Sequence, residues 1–316
     1  MPEQARKTGV ILLNMGAPSS TAEIRPYLRR LFLDPLLIQL PAGFLYRRLL
    51  ANFVSKKRAA MVRARYEKIG GGSPLLANTR MQSEALAQKL EIPVAIAMRY
   101  STPTAVDAVE HFLDQGIERA VALPLYPQFS SSTTGSSLAD LEKAAAGRLS
   151  LTTVDRHFDH PQFVGAMASA LTRRLSGSDQ STHVLFTAHS IPVKYTRQGD
   201  PYIAEVEATA AAVAAAASLT TPWSLGFQSA PSFGTWHGPF IEDELGKLAQ
   251  TEIQRLVVCP LTFAAENLET LYDLDIVFAG ECMAAGITAV VRIPAPGASP
   301  EYIGALSSMV QEALST

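Results

Sequence analysis

At 316 residues the chain is long enough for two domains of ordinary size. With 47% hydrophobic residues, 18% charged residues and a net charge of −2, it lacks the basic excess that nucleic-acid binding needs. Its two cysteines, Cys259 and Cys282, exclude a disulfide framework and a cysteine-cluster metal site. After Arg6 and Lys7 the first apolar run is only Val10–Leu13. That is too short for a signal peptide or a spanning helix, so the expected compartment is the cytoplasm.

Short apolar strands are predicted over Gly9–Asn14, Pro93–Met98, Arg119–Leu123, Val184–Thr187, Trp223–Phe227, Arg255–Cys259 and Ile287–Arg292. Helical patterns separate them, which argues for an α/β fold of parallel βαβ units. Between the first two strands lies a stretch, about 35–80, in which Leu36–Pro41, Phe44–Tyr46, Leu49, Leu50, Phe53 and Val54 alternate with Arg47, Arg48, Lys56, Lys57 and Arg58. Such a mixture suits a membrane surface or an apolar ligand with acidic groups, and equally a helical insertion packed on a core. Gly70–Pro74 precedes a helix near Leu75. It is neither a dinucleotide fingerprint nor a phosphate loop, so it reads as a turn, with capture of a carboxylate at the helix start as the functional option. Ser130–Ser137 reads first as a helix cap. The alanine-rich run Glu205–Ser218 is a helix by propensity.

Two stretches carry chemistry. Leu185–Pro192 is a buried strand running into a turn, with His189 at its carboxyl end among small residues. By contrast, His111, His157, His160 and His183 read as structural. Leu256–Val277 is a second strand, stopped at Pro260, followed by a helix in which Glu266, Glu269 and Asp273 fall at i, i+3 and i+7. That spacing puts three carboxylates on one helix face. It is either a solvated face or an acidic ladder at the carboxyl end of a strand, where open α/β sheets bind ligands. Imidazole with carboxylate is both an acid/base pair and a metal pair.

The halves also echo each other. Leu12–Pro18 resembles Phe186–Pro192, Arg99–Pro103 resembles Phe227–Pro231, and Arg119–Leu125 resembles Arg255–Leu261. Three anchors in one order indicate duplicated halves, with Met15 and His189 at matching positions. The first half then holds an extra insertion between its first two strands.

Taken together, LLNMGAP, RRLFLDP, IGGGSPL, MRYSTP, LPLYPQFSSSTTGSSL, FTAHSIP, RQGDPY, FQSAP and NLETLYDLDI resemble the ferrochelatase family over nearly the whole chain. The resemblance implies two Rossmann-like lobes of the chelatase fold with a porphyrin cleft between them. Residues 1–148 plus 300–316 would form one lobe and 149–299 the other. It implies insertion of Fe2+ into protoporphyrin IX, the final step of haem biosynthesis, with release of two protons. His189 and Glu269 match the family's catalytic and metal-handling pair. Met15, Arg99, Tyr100, Tyr126 and Trp236 match the macrocycle wall, Arg58, Tyr66, Ser73 and Ser229 the surroundings of the propionates, and Glu266 and Asp273 a proton or metal relay. A methionine at 15 is similar to forms that use protoporphyrin. Ala265-Glu266-Asn267 stands where Ser-Asp-His is common, and Val277 where some relatives continue the acidic ladder. Two cysteines cannot hold an iron–sulfur cluster, so no resident cofactor is expected. Partners would be the two substrates and, peripherally, the inner membrane surface, with no nucleic acid. A chelatase for cobalt or another tetrapyrrole, and a non-catalytic iron or haem binder, are the alternative readings.

Overall fold

The computed structural model describes residues 8–38, 44–177, 179–231 and 234–315. These form two compact units: the chain up to Arg156 together with its end from Leu306, and His157–Ala305.

The first unit is built on four parallel strands in the order β2 (Val94–Met98), β1 (Thr8–Asn14), β3 (Arg119–Pro124), β4 (Ser150–Thr153). All of β1 is buried, which is why it reads as one apolar run and not as an alternation. Helices α1 (Ile24–Leu33), α2 (Phe44–Glu67) and α3 (Leu75–Leu90) lie between β1 and β2, and α4 (Ala105–Asp114) and α5 (Ser136–Ala145) follow β2 and β3. Ile11, Leu13 and Ala122 of the sheet share a core with Val109 and Phe112 of α4 and Leu141 of α5. Two glycines are required by close approach. A Cβ on Gly16, whose φ is +78°, would lie 2.3 Å from Ser101 Oγ, and one on Gly72 would lie 2.1 Å from the Ser19 carbonyl oxygen. The second approach, with the Ser73 amide donating to the Pro18 carbonyl at 2.8 Å, seats the 70–74 loop against the turn that follows β1.

The second unit repeats the plan, with β6 (Trp223–Gln228), β5 (Thr182–His189), β7 (Arg255–Pro260) and β8 (Ala289–Arg292) in that order and all parallel. Its helices are α6 (Pro161–Leu175), α7 (Val193–Arg197), α8 (Tyr202–Ala216), α9 (Ile241–Leu248) and α10 (Ala279–Ala284), and α11 (Pro300–Ser315) closes the chain. Replacing β1–β4 by β5–β8 converts one strand order into the other. Leu13 pairs with Pro124 as Thr187 pairs with Pro260, so Met15 and His189 do occupy matching places. One anchor needs correction. The Met98 amide donates to the Pro103 carbonyl and the Phe227 amide to the Pro239 carbonyl, each at 2.7 Å. Pro103 therefore matches Pro239, not Pro231, and Arg99 matches Gln228, not Phe227.

A further difference concerns β4, a strand absent from the sequence reading. Two of its four residues are exposed and two partly buried, and they alternate no apolar pattern, yet Leu151 pairs with Ala120 of β3. A boundary after residue 148 would cut β4 from its own sheet.

His157 opens the second unit with its ring buried against Phe163, the centroids 5.5 Å apart. Neither ring nitrogen has a hydrogen-bond partner. Burial, helped by the neighbouring His160, pushes its pKa down to about 3. Its folded value lies below the unfolded one, about 6.5, so the unfolded chain takes up a proton that the fold refuses. Stability is fully present above that value and falls as pH drops toward 3, by about 1.4 kcal/mol per pH unit at most. Urea midpoints measured between pH 7 and 4 should decline less steeply in His157→Phe than in the parent. Parallel curves would assign the acid sensitivity elsewhere.

Candidate active site

His189 closes β5, whose other residues are all buried, so the strand delivers one imidazole to its carboxyl edge. Its Nδ1 lies 2.6 Å from the Ser190 carbonyl oxygen. A carbonyl only accepts, so Nδ1 carries the proton and Nε2 keeps its lone pair for a proton or a metal. The His189 carbonyl accepts from the Tyr202 phenol at 2.9 Å, and the Ser190 hydroxyl donates to the His237 carbonyl at 2.8 Å. The loop after His189 is thus held from two directions. Trp236 faces Pro192 in an antiparallel bridge, reinforced by the Val193 amide on the Thr235 carbonyl at 3.0 Å. This places Trp236 beside the same loop.

Glu269 reaches this edge through Gln228. Gln228 is the register partner of His189 on β6 and is buried. It accepts from Thr187 Oγ1 at 2.9 Å and turns its amide toward the Glu269 carbonyl at 3.4 Å. The backbone of Glu269 therefore meets the residue that pairs with His189 at the carboxyl edge of the sheet. Sequence reasoning missed Gln228 because FQSAP was aligned one residue out of step.

The acidic segment differs from expectation in form. Glu269–Phe278 is a π-helix, closed by i→i+5 bonds, a rare form frequently found at functional sites. Its turn is wider than that of an α-helix, so residues four apart stack. Glu269 and Asp273 therefore share a face with Val277. Glu266 lies outside the helix and is not part of the stripe. Its Oε1 meets Arg292 Nη1 at 2.9 Å and the Ala295 amide at 3.0 Å, and its Oε2 takes the Thr270 hydroxyl at 2.5 Å. A carboxylate so committed is a structural anchor, which removes Glu266 from the relay. Ser229, matched by resemblance to the propionates, donates to Asp273 Oδ2 at 2.9 Å. The missed neighbour is Glu242 at the start of α9. Burial raises its pKa, and Glu281, Asp243 and Asp273 add to the shift, so the acidic character continues past Asp273 onto α9. Among the described residues no three of His, Cys, Asp or Glu form a metal-holding cluster.

The first unit holds the remaining candidates. Met15 is half-buried at the turn after β1, its amide fixed by Asn14 Oδ1 at 2.8 Å. Arg58 on α2 stacks 6.0 Å from the Phe32 ring. Tyr66 is buried in the last turn of α2, and the Ser73 hydroxyl accepts from the Leu75 amide at 3.3 Å. Tyr100 is 1% exposed, its phenol given to Asp34 Oδ2 at 2.7 Å. It backs a wall without forming its surface. Arg99 sends Nη2 to Asp34 at 2.9 Å and Nε to Ser136 Oγ at 2.7 Å, with Nη1 3.5 Å from Asp140 Oδ1, so each of its three nitrogens already faces a partner in this unit. The Tyr126 hydroxyl lies 3.4 Å from Ser137 Oγ. Ser130 does act as a cap, accepting from the Ser132 amide at 3.2 Å.

On α2, Leu45, Leu49 and Phe53 follow one another at every fourth residue and are 75%, 70% and 66% exposed. The opposite face of α2 buries Ala51, Ser55 and Tyr66. The 39–43 part of the apolar insertion lies outside the described residues. Within them no helix is long and apolar enough to cross a membrane.

The family model described as Ferrochelatase matches residues 7–314. A Synechococcus protein named Ferrochelatase is 38% identical over 98% of this chain and 94% of its own length. One from Geotalea uraniireducens is 36% identical over the full length of both chains, and one from Aquifex aeolicus 34% over 96% and 99%. Among solved structures, SirB from Bacillus subtilis with Fe3+ superposes with a TM-score of 0.59 at 13% identity, over 97% of this chain and 95% of that one. CbiX, a terminal enzyme of sirohaem biosynthesis, does so with 0.53 at 14%, over 97% and 99%. At such identities these two establish the shared chelatase fold alone.

Proposed function

This chain belongs to the ferrochelatase family, and from that premise we propose that it inserts Fe2+ into protoporphyrin IX with His189 and Glu269 as the working pair. The observation that carries the assignment of residues is the orientation of His189. With Nδ1 bound to the Ser190 carbonyl, Nε2 is the ring nitrogen left for chemistry, at the sheet edge where Gln228 meets the backbone carbonyl of Glu269.

Insertion must remove two pyrrole protons, strip water from the ion and deliver it to the ring. A neutral imidazole nitrogen can accept a proton or ligate the ion. Glu269 can ligate in turn or pass protons to Asp273, four residues on along the same face. The reading includes no resident cofactor: the only cysteines, Cys259 and Cys282, are both buried, and a cluster needs more thiolates than they supply. Anaerobic Fe2+ added to purified protein and protoporphyrin should convert the free-porphyrin absorbance to that of haem over many turnovers. Conversion that stops at one equivalent would mean a binding protein.

The exposed stripe of α2, with Arg48, Lys56 and Lys57 on the same helix, supports a peripheral seat on the cytoplasmic membrane surface. Buried apolar area and attraction to anionic lipid both contribute to such binding. Leu49→Asp with Phe53→Asp should abolish sedimentation with vesicles containing anionic lipid while leaving turnover on detergent-dispersed porphyrin. Retained sedimentation would remove α2 from the contact.

A further inference from the structure

We propose that Arg292 is a positioning residue for metal delivery, bracing from both ends the segment that carries Glu269 and Asp273. The proposal rests on the assignment of those two acids to the site. Arg292 ends β8, the strand beside β7 from which the segment departs. Its side chain is 11% exposed. Nε and Nη2 grip Asp275 Oδ1 and Oδ2 at 2.6 and 2.7 Å, while Nη1 holds Glu266 Oε1 at 2.9 Å and the Ile293 carbonyl at 3.2 Å.

The two carboxylates taken by Arg292 bracket the two left on the stripe. Glu266 lies in the loop before the helix and Asp275 inside it, with Glu269 and Asp273 between them. Inside the bracket, buried Thr270 donates its hydroxyl to Glu266 and its amide to Asn267 Oδ1 at 3.0 Å. The start of the helix is thereby fixed to the same guanidinium. A π-turn is seldom adopted unaided, so a hold at its start through Glu266 and Thr270, and a second at Asp275 within it, decide where its face points. The charges sort in the same sense. One guanidinium answers the two acids that do not face the stripe.

Only a planar fork can take one carboxylate with two donors and still reach a second. Arg292→Lys keeps the charge and loses that geometry. It should raise the Michaelis constant for Fe2+ by about tenfold, the low end for losing an outer support of a metal site, and leave the constant for protoporphyrin unchanged. Asp275→Asn loosens the more exposed arm of the brace and should shift the Fe2+ constant in the same direction by less. Because that arm is 37% exposed, this variant should fold even if Arg292→Lys does not. Unchanged constants in Asp275→Asn, or a rise in both constants together, would overturn the proposal. Glu269→Gln separates the two layers. If it raises the Fe2+ constant while the Arg292 and Asp275 variants do not, the brace alone fails. If Glu269→Gln has no effect on Fe2+, the site assignment fails as well.

Discussion

His189→Ala is expected to lower iron insertion into protoporphyrin by about two to four orders of magnitude, the usual contribution of a placed acid–base group. The loss follows from position. The ring stands at the carboxyl end of a fully buried strand, its Nδ1 occupied by the Ser190 carbonyl and its own carbonyl held by Tyr202. The substitution should leave the fold intact, since the ring is only half-buried and its packing partners remain. Porphyrin binding, followed by fluorescence quenching, should therefore persist while turnover falls. Glu269→Gln should come next in severity and Asp273→Ala after it, because Asp273 stands one place farther along the stripe. Wild-type turnover by His189→Ala would sink the assignment, and a larger loss from Asp273→Ala than from Glu269→Gln would reverse the direction of the relay.

The parts of this site visible in the sequence are those set by strand physics. A buried parallel strand must be apolar throughout and must stop abruptly, so a polar residue at its stop is conspicuous, as His189 is. Proline stops also marked the repeat: Pro124 and Pro260 occupy equivalent registers. The illegible parts depend on contacts distant in sequence. Glu266 has the spacing of a ladder member, and Arg292 and the Ala295 amide, 26 and 29 residues on, help withdraw it. The shift from α- to π-turn at Glu269 leaves no mark in hydrophobic periodicity, because the buried positions Thr270, Leu274 and Phe278 recur every fourth residue, a spacing an α-helix also tolerates. Tyr100 reads as an aromatic wall, yet burial and the charge of Asp34 push its phenol pKa up and keep it a neutral donor inside the unit. The resemblance gave Arg99 and Tyr100 a role and gave none to Asp34, the aspartate of RRLFLDP that holds both.

That aspartate carries the largest expected effect on stability. Asp34 ends α1 where the chain enters the insertion, and it is almost wholly buried. Its Oδ2 takes the Arg99 guanidinium at 2.9 Å, the Tyr100 phenol at 2.7 Å and the Ser136 hydroxyl, and its Oδ1 takes the Leu36 amide at 2.8 Å. Burial opposes the charge, but the Ser136, Tyr100, Arg99 and Leu36 bonds outweigh it and hold the carboxyl below its usual range. Asp34→Ala removes the acceptor and leaves a largely buried guanidinium and two hydroxyls facing a hole. Breaking such a pair from one side costs about 3–5 kcal/mol, toward the lower figure here because the Arg99 side chain is 22% exposed and water can reach part of it. Tyr100→Phe removes one donor and should cost only about 1–2 kcal/mol. Asp34→Asn, which keeps an acceptor without the charge, should fall between them. The sign with pH follows from the depressed carboxyl: its contribution is present above the unfolded value, about 3.9, and is lost as pH falls through the lower folded one. Urea unfolding at pH 7 should therefore rank the variants Asp34→Ala, Asp34→Asn, Tyr100→Phe, with the gap between parent and Asp34→Asn narrowing on acidification. An Asp34→Ala protein as stable as the parent would show that the guanidinium and the phenol find water or other acceptors once the carboxylate is gone, and that the hub is dispensable to the fold.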